Sequence, residues 1–403
     1  MARILMLSAT FPYPATKGGT QGRTFNLLKT FAQNHKITLV TQRADDVSEA
    51  DIEGLSEWVS ELKVFPSPAE ASRSVWDKLP RQLDFWLNGT PPNVRYRYDP
   101  AIQAWLDSAI ANGGFETITC EHSVNEIYVR PAWREQVRTV INVHSSLYRT
   151  CQNQLATNTS ENAFRDRLYL PLLEKYERRV TQKFSRVVVT TDEDETQMRT
   201  FAPTADVQLI PNGVALETFP CRTQDPGGHA LVFVGGLDYF INIDAAVFLG
   251  AKILPKLQET YPDATLTLVG SKPAPQVQAL AQNPSITVTG RVPTIVEYLH
   301  KATVAVIPMR TGFGMKFKTL ESMAAGVPVV ASDRGLEGLV VDDGSVSLRA
   351  LRANTLEENV AQISRLFADA QLRAQLSAAG RDLIETHYTW ETLGQQYEQA
   401  ITG

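Results

Sequence analysis

Five residues in one stretch have types and spacing suited to ligand chemistry. In VAVIPMRTGFGMKFKTLESMAAGVPVVAS, residues 304–332, Gly312 and Gly314 are followed by Lys316, Lys318 and Glu321. Glycines let a backbone approach a ligand closely. Ammonium groups attract a phosphate, and a carboxylate accepts hydrogen bonds from hydroxyls. The set suits a molecule with a phosphate group and a hydroxyl-bearing ring. The elements that must position it follow from the pattern. VAVIP reads as a buried strand, MRTGFG as a loop, Met315 to about Ala325 as a helix and PVVAS as a second strand. Gly326 and Pro328 are the stop signals of that helix. Such a crossover joins parallel strands, and parallel sheets bind ligands outside the carboxyl ends of their strands. The loop and the helix start lie at that edge, where free N–H groups can face an anion.

The 403 residues exceed one ordinary core and suit two domains. Hydrophobic residues make up 43% and charged residues 21%, a soluble globular balance. A formal net charge of -5 gives no general attraction to nucleic acid. A local basic face for peripheral membrane contact stays open. No apolar run reaches the roughly 18 residues of a membrane span. MARILMLSA has the look of a signal-peptide core, but FPYP follows it where small residues would mark cleavage. A first buried strand is expected there. Cys120, Cys151 and Cys221 show no metal-type spacing, and inert thiols in a reducing, cytoplasmic setting are expected.

Along the chain, ARILMLSA, KITLVTQ, LKVFPS, FETITCEHS and RTVINVHSS read as strands, with a helix after Gly18-Gly19. Gly18-Gly19 is either a plain turn or a backbone approach to a ligand. Residues 70–112 are helical in pattern and hold Trp76, Trp86 and Trp105, as core or as lining of an acceptor pocket. His122 and His144 stand at strand ends, as cleft residues or as structural histidines. A charged helix spans about 161–183. RVVVTTDED is a strand running into a helix capped by Thr191 or Asp192. VQLIPNGV ends in a turn, and a linker follows at about 215–229. The alternation then restarts: ALVFVGG, a helix over 242–258, ATLTLVG, SITVTG, a helix at TIVEYLHKA, then the 304–332 unit. Residues 355–380 are helical and YTWETLGQQYEQAI forms the last helix. Two βα series argue for two Rossmann-like domains. No strand is followed by GxGxxG with a distant acidic residue, which disfavours a dinucleotide dehydrogenase.

The order of motifs resembles the retaining glycosyltransferases of family 4. It runs from Gly18-Gly19 through Asn142-Val143-His144, Pro211-Asn212-Gly213-Val214 and Phe233-Val234-Gly235-Gly236 to Gly314–Val330 and a Tyr-Thr-Trp helix. The resemblance implies the GT-B fold: α/β, two Rossmann-like domains facing each other across a cleft. Residues 1–214, completed by the C-terminal helix 389–403, would form the acceptor-side domain, and 215–388 the nucleotide-sugar domain. Glu321 matches the second glutamate of the family's pair, which binds the ribose hydroxyls. An ion pair with Lys318 is the structural alternative. The implied donor-binding set is Gly18, Gly19, Gly235, Gly236, Arg291, Val292, Gly312, Phe313, Gly314, Met315, Leu320 and Glu321. His144, Lys316 and Lys318 are the implied catalytic set.

Two departures stand out. The first glutamate of the pair is replaced by Phe313. The family's Arg and Lys on the diphosphate are replaced by Gly236 and Ile241. Lys316, Lys318, the Gly235-Gly236 backbone and the helix N-terminus are then left to share the phosphate charge. The resemblance implies a nucleotide-sugar donor, with UDP by analogy, and transfer to a glycan, lipid-linked or small-molecule hydroxyl in surface-glycan, polysaccharide or glycolipid synthesis. No cofactor is called for. Asp192-Glu193-Asp194 and Asp342-Asp343 read as a helix start and a solvated loop rather than metal ligands. The rivals are an epimerase or hydrolase on the same scaffold, and a non-catalytic nucleotide-sugar-binding partner of an active transferase.

Overall fold

In this computed structural model residues 1–68, 85–87, 89–312 and 314–403 are described. Among them, thirteen short strands, most of them buried, form two parallel sheets. Trp76, most of the helical pattern before residue 89, and Phe313 lie outside the described residues. The chain divides into unit 1, Met1–Pro211 with Trp390–Gly403, and unit 2, Asn212–Thr389.

The strands of unit 1 are β1 Arg3–Ser8, β2 Lys36–Arg43, β3 Glu61–Pro66, β4 Thr117–Glu121, β5 Arg138–Val143, β6 Arg186–Val189 and β7 Val207–Leu209. Their order is β3-β2-β1-β4-β5-β6-β7, and the pairings are parallel. In unit 2, β8 Ala230–Val234, β9 Thr265–Val269, β10 Ile286–Val288, β11 Val304–Ile307, β12 Val329–Ala331 and β13 Leu351–Arg352 take the order β10-β9-β8-β11-β12-β13, also parallel. Runs such as VAVI, buried at every position, fit strands covered by helices on both faces. Each sheet reverses its winding once, between β1 and β4 and between β8 and β11. Those switch points are where a doubly wound sheet opens a crevice at its carboxyl edge.

Several expected elements differ in detail. The helix of the 304–332 unit is shorter, Phe317–Ala324, because Lys316 is still extended. Its end is as the stop signals require. Gly326 has φ 72°, its N–H donates to Met323 O (3.0 Å), and the Val327 N–H donates to Ser322 O (2.9 Å). The helix expected over 242–258 runs Phe240–Phe248, widens to a π-turn at Leu249–Ile253 and resumes at Leu254–Gln258. Pro255 has no N–H, so a standard turn cannot close onto the carbonyl of Ala251. Residues 355–380 hold a break: Asp369 ends Leu356–Ala368, and its carboxylate caps Ala370–His387 through Leu372 N (2.9 Å). The sequence pattern did not reveal the helix Leu147–Ala156.

The C-terminal helix, Trp390–Thr402, packs on unit 1 with Trp390, Leu393, Tyr397 and Ile401 buried. Gly394 lets it sit against the helix Gly19–Phe31, since a Cβ there would lie 2.4 Å from Thr30 Oγ1. A buried polar network fastens it. Glu121, at the end of β4, accepts from Tyr397 Oη (2.5 Å), Asn142 Nδ2 (2.8 Å) and Thr119 Oγ1 (3.0 Å). Arg23 donates to Asn142 Oδ1 (3.1 Å) and to the carbonyls of Ile210 (2.8 Å) and Pro211 (2.7 Å). Burial lowers the Arg23 pKa to about 10, partly opposed by Glu121 and Tyr397, and raises that of Glu121.

Candidate functional site

The switch point of unit 2 gathers most of the expected ligand-binding residues. β8 is followed by Gly235-Gly236, and its pairing with β9 continues past the strand, Gly235 N to Val269 O and Leu237 N to Ser271 O, both 3.0 Å. Gly270 must be a glycine here, because a Cβ would lie 1.7 Å from Gly235 O. Gly235 must be bare for another reason. A Cβ on it would stand 2.8 Å from Lys318 Nζ and 3.0 Å from Asn242 Cγ. Lys318 projects from the first turn of the 317–324 helix and donates to Asn242 Oδ1 (2.5 Å). Its ammonium also lies 4.4 Å from the centroid of the Phe233 ring. Asn242 in turn donates to Gly236 O (2.9 Å). Burial pushes the Lys318 pKa down to about 7; Lys316 acts in the same direction, and Glu321 opposes it.

Glu321 lies one turn further along the same helix. It is half-buried, and burial pushes its carboxyl up to about 7 against the pull of Lys318. Among the described residues its carboxylate accepts no hydrogen bond from the protein. The i, i+3 spacing therefore gives Glu321 and Lys318 a mutual field without a direct bond, and leaves the carboxylate's lone pairs available.

Lys316 is placed differently. Its side chain is buried, donates to Gly314 O (2.5 Å) and lies 3.9 Å from Glu337 Oε2. Arg334 lies 3.4 Å from the same oxygen. The expectation that Lys316 and Lys318 act alike is not what the geometry gives: Lys316 is turned into the loop it belongs to. Gly312 (φ 92°) and Gly314 (φ 84°) take left-handed conformations that favour glycine. A Cβ on Gly312 would meet Ile241 Cδ1 at 2.9 Å. Ile241 thus packs on the loop at one of the positions where the family carries a cation. The side chains of Met315 and Leu320 belong to the core, and Met315 offers its carbonyl to Asn212 Nδ2 (3.2 Å). Arg291 is exposed and Val292 packs on the core, both past the end of edge strand β10, two strands from β8. Sequence reasoning did not single out Asn242, Glu337 or Thr311. The Thr311 hydroxyl is buried in the loop after β11 and has no hydrogen-bond partner among the described residues.

Unit 1 has its own cluster at the β1/β4 switch point. Gly18 is extended and opens the helix Gly19–Phe31, the first long helix after β1. Asn125, after β4, accepts from Ala9 N after β1 (2.9 Å). His122, at φ 76°, and His144 form an edge-to-face pair with centroids 5.0 Å apart. Burial, then Arg97, lowers the His122 pKa to about 4; burial, then His122 and Arg23, holds His144 well below its ordinary value. Both rings are neutral at pH 7. The His144 Nε2 atom is buried and has no hydrogen-bond partner among the described residues. A neutral imidazole can bind a hydroxyl but adds no charge against a phosphate.

The helix Leu147–Ala156 that follows His144 is anchored from afar. Glu177 accepts from Ser146 Oγ (2.7 Å), Leu147 N (2.5 Å), Tyr148 N (3.2 Å) and Gln197 Nε2 (2.8 Å). The acidic triplet 192–194 opens a helix capped by Thr191, with Asp194 paired to Arg149 (3.2 Å). Asp342 pairs with Arg352 (2.7 Å). Trp105 packs against the unit 1 core, and Trp86 is exposed.

Comparison with known proteins bears on the family and the fold. Residues 17–218 match the family described as Glycosyltransferase Family 4, and residues 228–369 match Glycosyl transferases group 1. A lipopolysaccharide 1,2-N-acetylglucosaminetransferase of Salmonella typhimurium is 22% identical over 305 residues, 70% of this chain and 77% of its own length. A phosphatidyl-myo-inositol mannosyltransferase of Mycobacterium tuberculosis is 29% identical over 214 residues, 48% of this chain and 53% of its own. The chain thus spans about half the length of the latter. The crystal structure of Anabaena HepE in complex with UDP and glucose superposes over 100% of both chains with TM-score 0.66 at 14% identity, which establishes the shared GT-B fold. With a family match over half its length and two doubly wound units, this chain belongs to glycosyltransferase family 4 and is a glycosyltransferase.

Proposed function

We propose that the protein moves a sugar from a UDP-sugar to an acceptor hydroxyl with retention of anomeric configuration. Glu321 carries this reading: a half-buried carboxylate at a switch point, pushed up to about 7 and lacking any protein hydrogen bond among the described residues. Such a group is costly unless a ligand satisfies it, and the paired hydroxyls of a ribose do so. Within unit 2, Lys318 and the Gly235-Gly236 backbone take the diphosphate and the glycines at 312 and 314 admit the sugar; within unit 1, the neutral His144 suits a hydroxyl. Arg291 and Gly18-Gly19 extend the binding edges of their units.

Chemically, the bond from the anomeric carbon to the diphosphate oxygen breaks. A bond to the acceptor oxygen forms on the same face, and the acceptor proton passes to the departing phosphate oxygen. Phe313 stands where the family carries a carboxylate, so a covalent glycosyl-enzyme is not proposed. The enzyme contributes charge and positioning. The donor is a substrate, and no cofactor is invoked. The relatives named for lipopolysaccharide and phosphatidyl-inositol acceptors favour a glycan or lipid-linked acceptor at the cytoplasmic side of a membrane. Among the described residues no helix is long and apolar enough to cross one.

A thermal-shift series against UDP-, GDP- and ADP-sugars tests the donor reading, because a ligand of the folded state raises its melting temperature. A selective rise with UDP-sugars is expected; no rise with any of them sinks it. Lys318→Ala should slow turnover more than Lys301→Ala, a change on an exposed lysine at the end of the 296–301 helix. The absence of cations at 236 and 241 favours one rival, a non-catalytic binding partner. Measurable hydrolysis of the bound donor rejects that rival.

A further inference from the structure

We propose that Asn242 is a positioning residue that holds the Lys318 ammonium at the carboxyl edge of β8, in the place where the family carries its own cations. The inference rests on the reading of Lys318 as a phosphate-binding group. The loop after β8 has lost both family cations, since Gly236 and Ile241 stand at their positions. Each nevertheless has a partner. Gly236 offers its carbonyl to Asn242 Nδ2 (2.9 Å), and Ile241 packs on Gly312. The charge now arrives from another element, the first turn of the 317–324 helix, and Asn242 is what meets it.

The chemistry of the amide fixes its orientation. Gly236 O can only accept, so Asn242 must present its NH2 there. The charged form of Lys318, the ammonium that a phosphate selects, can only donate, so the amide oxygen must face it. One rotamer serves both, and each contact stabilises the other. A neutral acceptor is also the right kind of holder. It takes one of the three ammonium hydrogens without cancelling the charge, whereas a carboxylate would compete with the ligand's phosphate. The nearby acid of the same helix, Asp244, is occupied elsewhere by Arg310 (Oδ2 to Nε, 2.9 Å). The Phe233 ring covers a second side of the ammonium, and the missing side chain at Gly235 makes the room. Among the described residues the remaining ammonium hydrogens meet no acceptor, which leaves them for a ligand.

The test is a double-mutant cycle on Asn242 and Lys318, read by calorimetry with UDP and by hydrolysis of UDP-glucose without added acceptor. Asn242→Ala should weaken UDP about tenfold in the wild-type background and not at all in Lys318→Ala, because the lost contact acts through Lys318. In hydrolysis kcat should fall more than KM rises, since charge grows on the departing diphosphate in the transition state. Asn242→Asp keeps the side-chain volume, so it carries the test if the alanine variant does not fold. Its carboxylate pairs with Lys318 and repels phosphate, so UDP should again weaken about tenfold. An equal loss in both backgrounds, or wild-type affinity in both Asn242 variants, overturns the proposal. If Lys318→Ala alone leaves UDP affinity unchanged, the phosphate reading of Lys318 falls instead.

Discussion

Two clusters of charged side chains lie beside sheet edges in this chain, and they are built differently. In unit 1, Arg23, Glu121, Asn142, Thr119 and Tyr397 bond to one another and to the carbonyls of Ile210 and Pro211. In unit 2, Lys318 makes one side-chain hydrogen bond among the described residues, beside the Phe233 ring, and Glu321 accepts none from them. Both sets suffer desolvation, which shifts Arg23 and Lys318 down and Glu121 and Glu321 up. The first set offsets that cost within the protein; the second leaves it for a ligand to offset. Burial and shifted pKa therefore do not by themselves mark a functional site. The number of protein partners separates the two.

The largest effect should come from opening the closed network. Arg23→Met leaves Glu121 without its opposing charge and two carbonyls without donors. Breaking a buried pair this way costs about 3–5 kcal/mol. Urea unfolding should show the loss, and a change below about 1 kcal/mol would mean that the network is not structural after all. The network also holds the C-terminal helix through Tyr397, so the same variant should expose that helix to protease.

Next in size is Glu321→Gln, which should do the opposite in each respect. Folding stability should hold or rise, because no protein partner is lost. Nucleotide-sugar affinity should drop about ten- to a hundredfold, the range for a hydrogen bond to a charged group. Should stability fall and binding survive, the comparison between the two clusters would be reversed.

A smaller effect is the pH dependence that the same residue carries. Its folded pKa, about 7, lies above its ordinary value of 4.5, so the folded state holds the extra proton. The associated stability is complete below about 4.5 and is lost as pH rises through about 7. Glutamine does not titrate. The melting temperature of Glu321→Gln should therefore gain on wild type between pH 5 and pH 8, roughly the window of that titration. Lys318 has the reverse sign: its folded pKa, about 7, lies below 10.5, so its contribution is lost as pH falls. Without Glu321 the Lys318 pKa falls further, so the variant's Lys318 term also rises with pH in this window and adds to the same gain. A constant gap in melting temperature across the window would remove the case for a raised Glu321 pKa.

The sequence made one side of this comparison legible and hid the other. Strand runs buried on both faces and the Gly326 stop are local signals, and the structure follows them closely. Glu121, Arg23 and Tyr397 meet only in the fold: the Thr119–Tyr397 contact joins residues 278 apart. The Leu147–Ala156 helix was missed for a partly similar reason: Ser146 caps it locally through Arg149 N (3.0 Å), but the N–H groups of Leu147 and Tyr148 are satisfied by the distant Glu177. Lys316 and Lys318 look equivalent in sequence because they stand two residues apart in one short run. They diverge because Lys316 is still extended while Lys318 is helical, and this turns one ammonium toward Gly314 and the other toward Asn242.

The smallest effect should come from the far edge of the unit 2 sheet. Arg291 is exposed beyond β10, two strands from β8, and forms no ion pair among the described residues. An exposed, mobile cation gains little from a phosphate in water, so Arg291→Ala should weaken UDP-sugar binding only about two- to threefold and leave stability unchanged. That loss should also shrink as salt rises from 50 to 300 mM, roughly the range over which screening shortens below the span of a surface contact. The half-buried Lys318 should feel the same salt much less. A loss with Arg291→Ala as large as with Lys318→Ala, and as insensitive to salt, would move the phosphate site outward along the sheet edge and make the β8 cluster a structural one like its counterpart in unit 1.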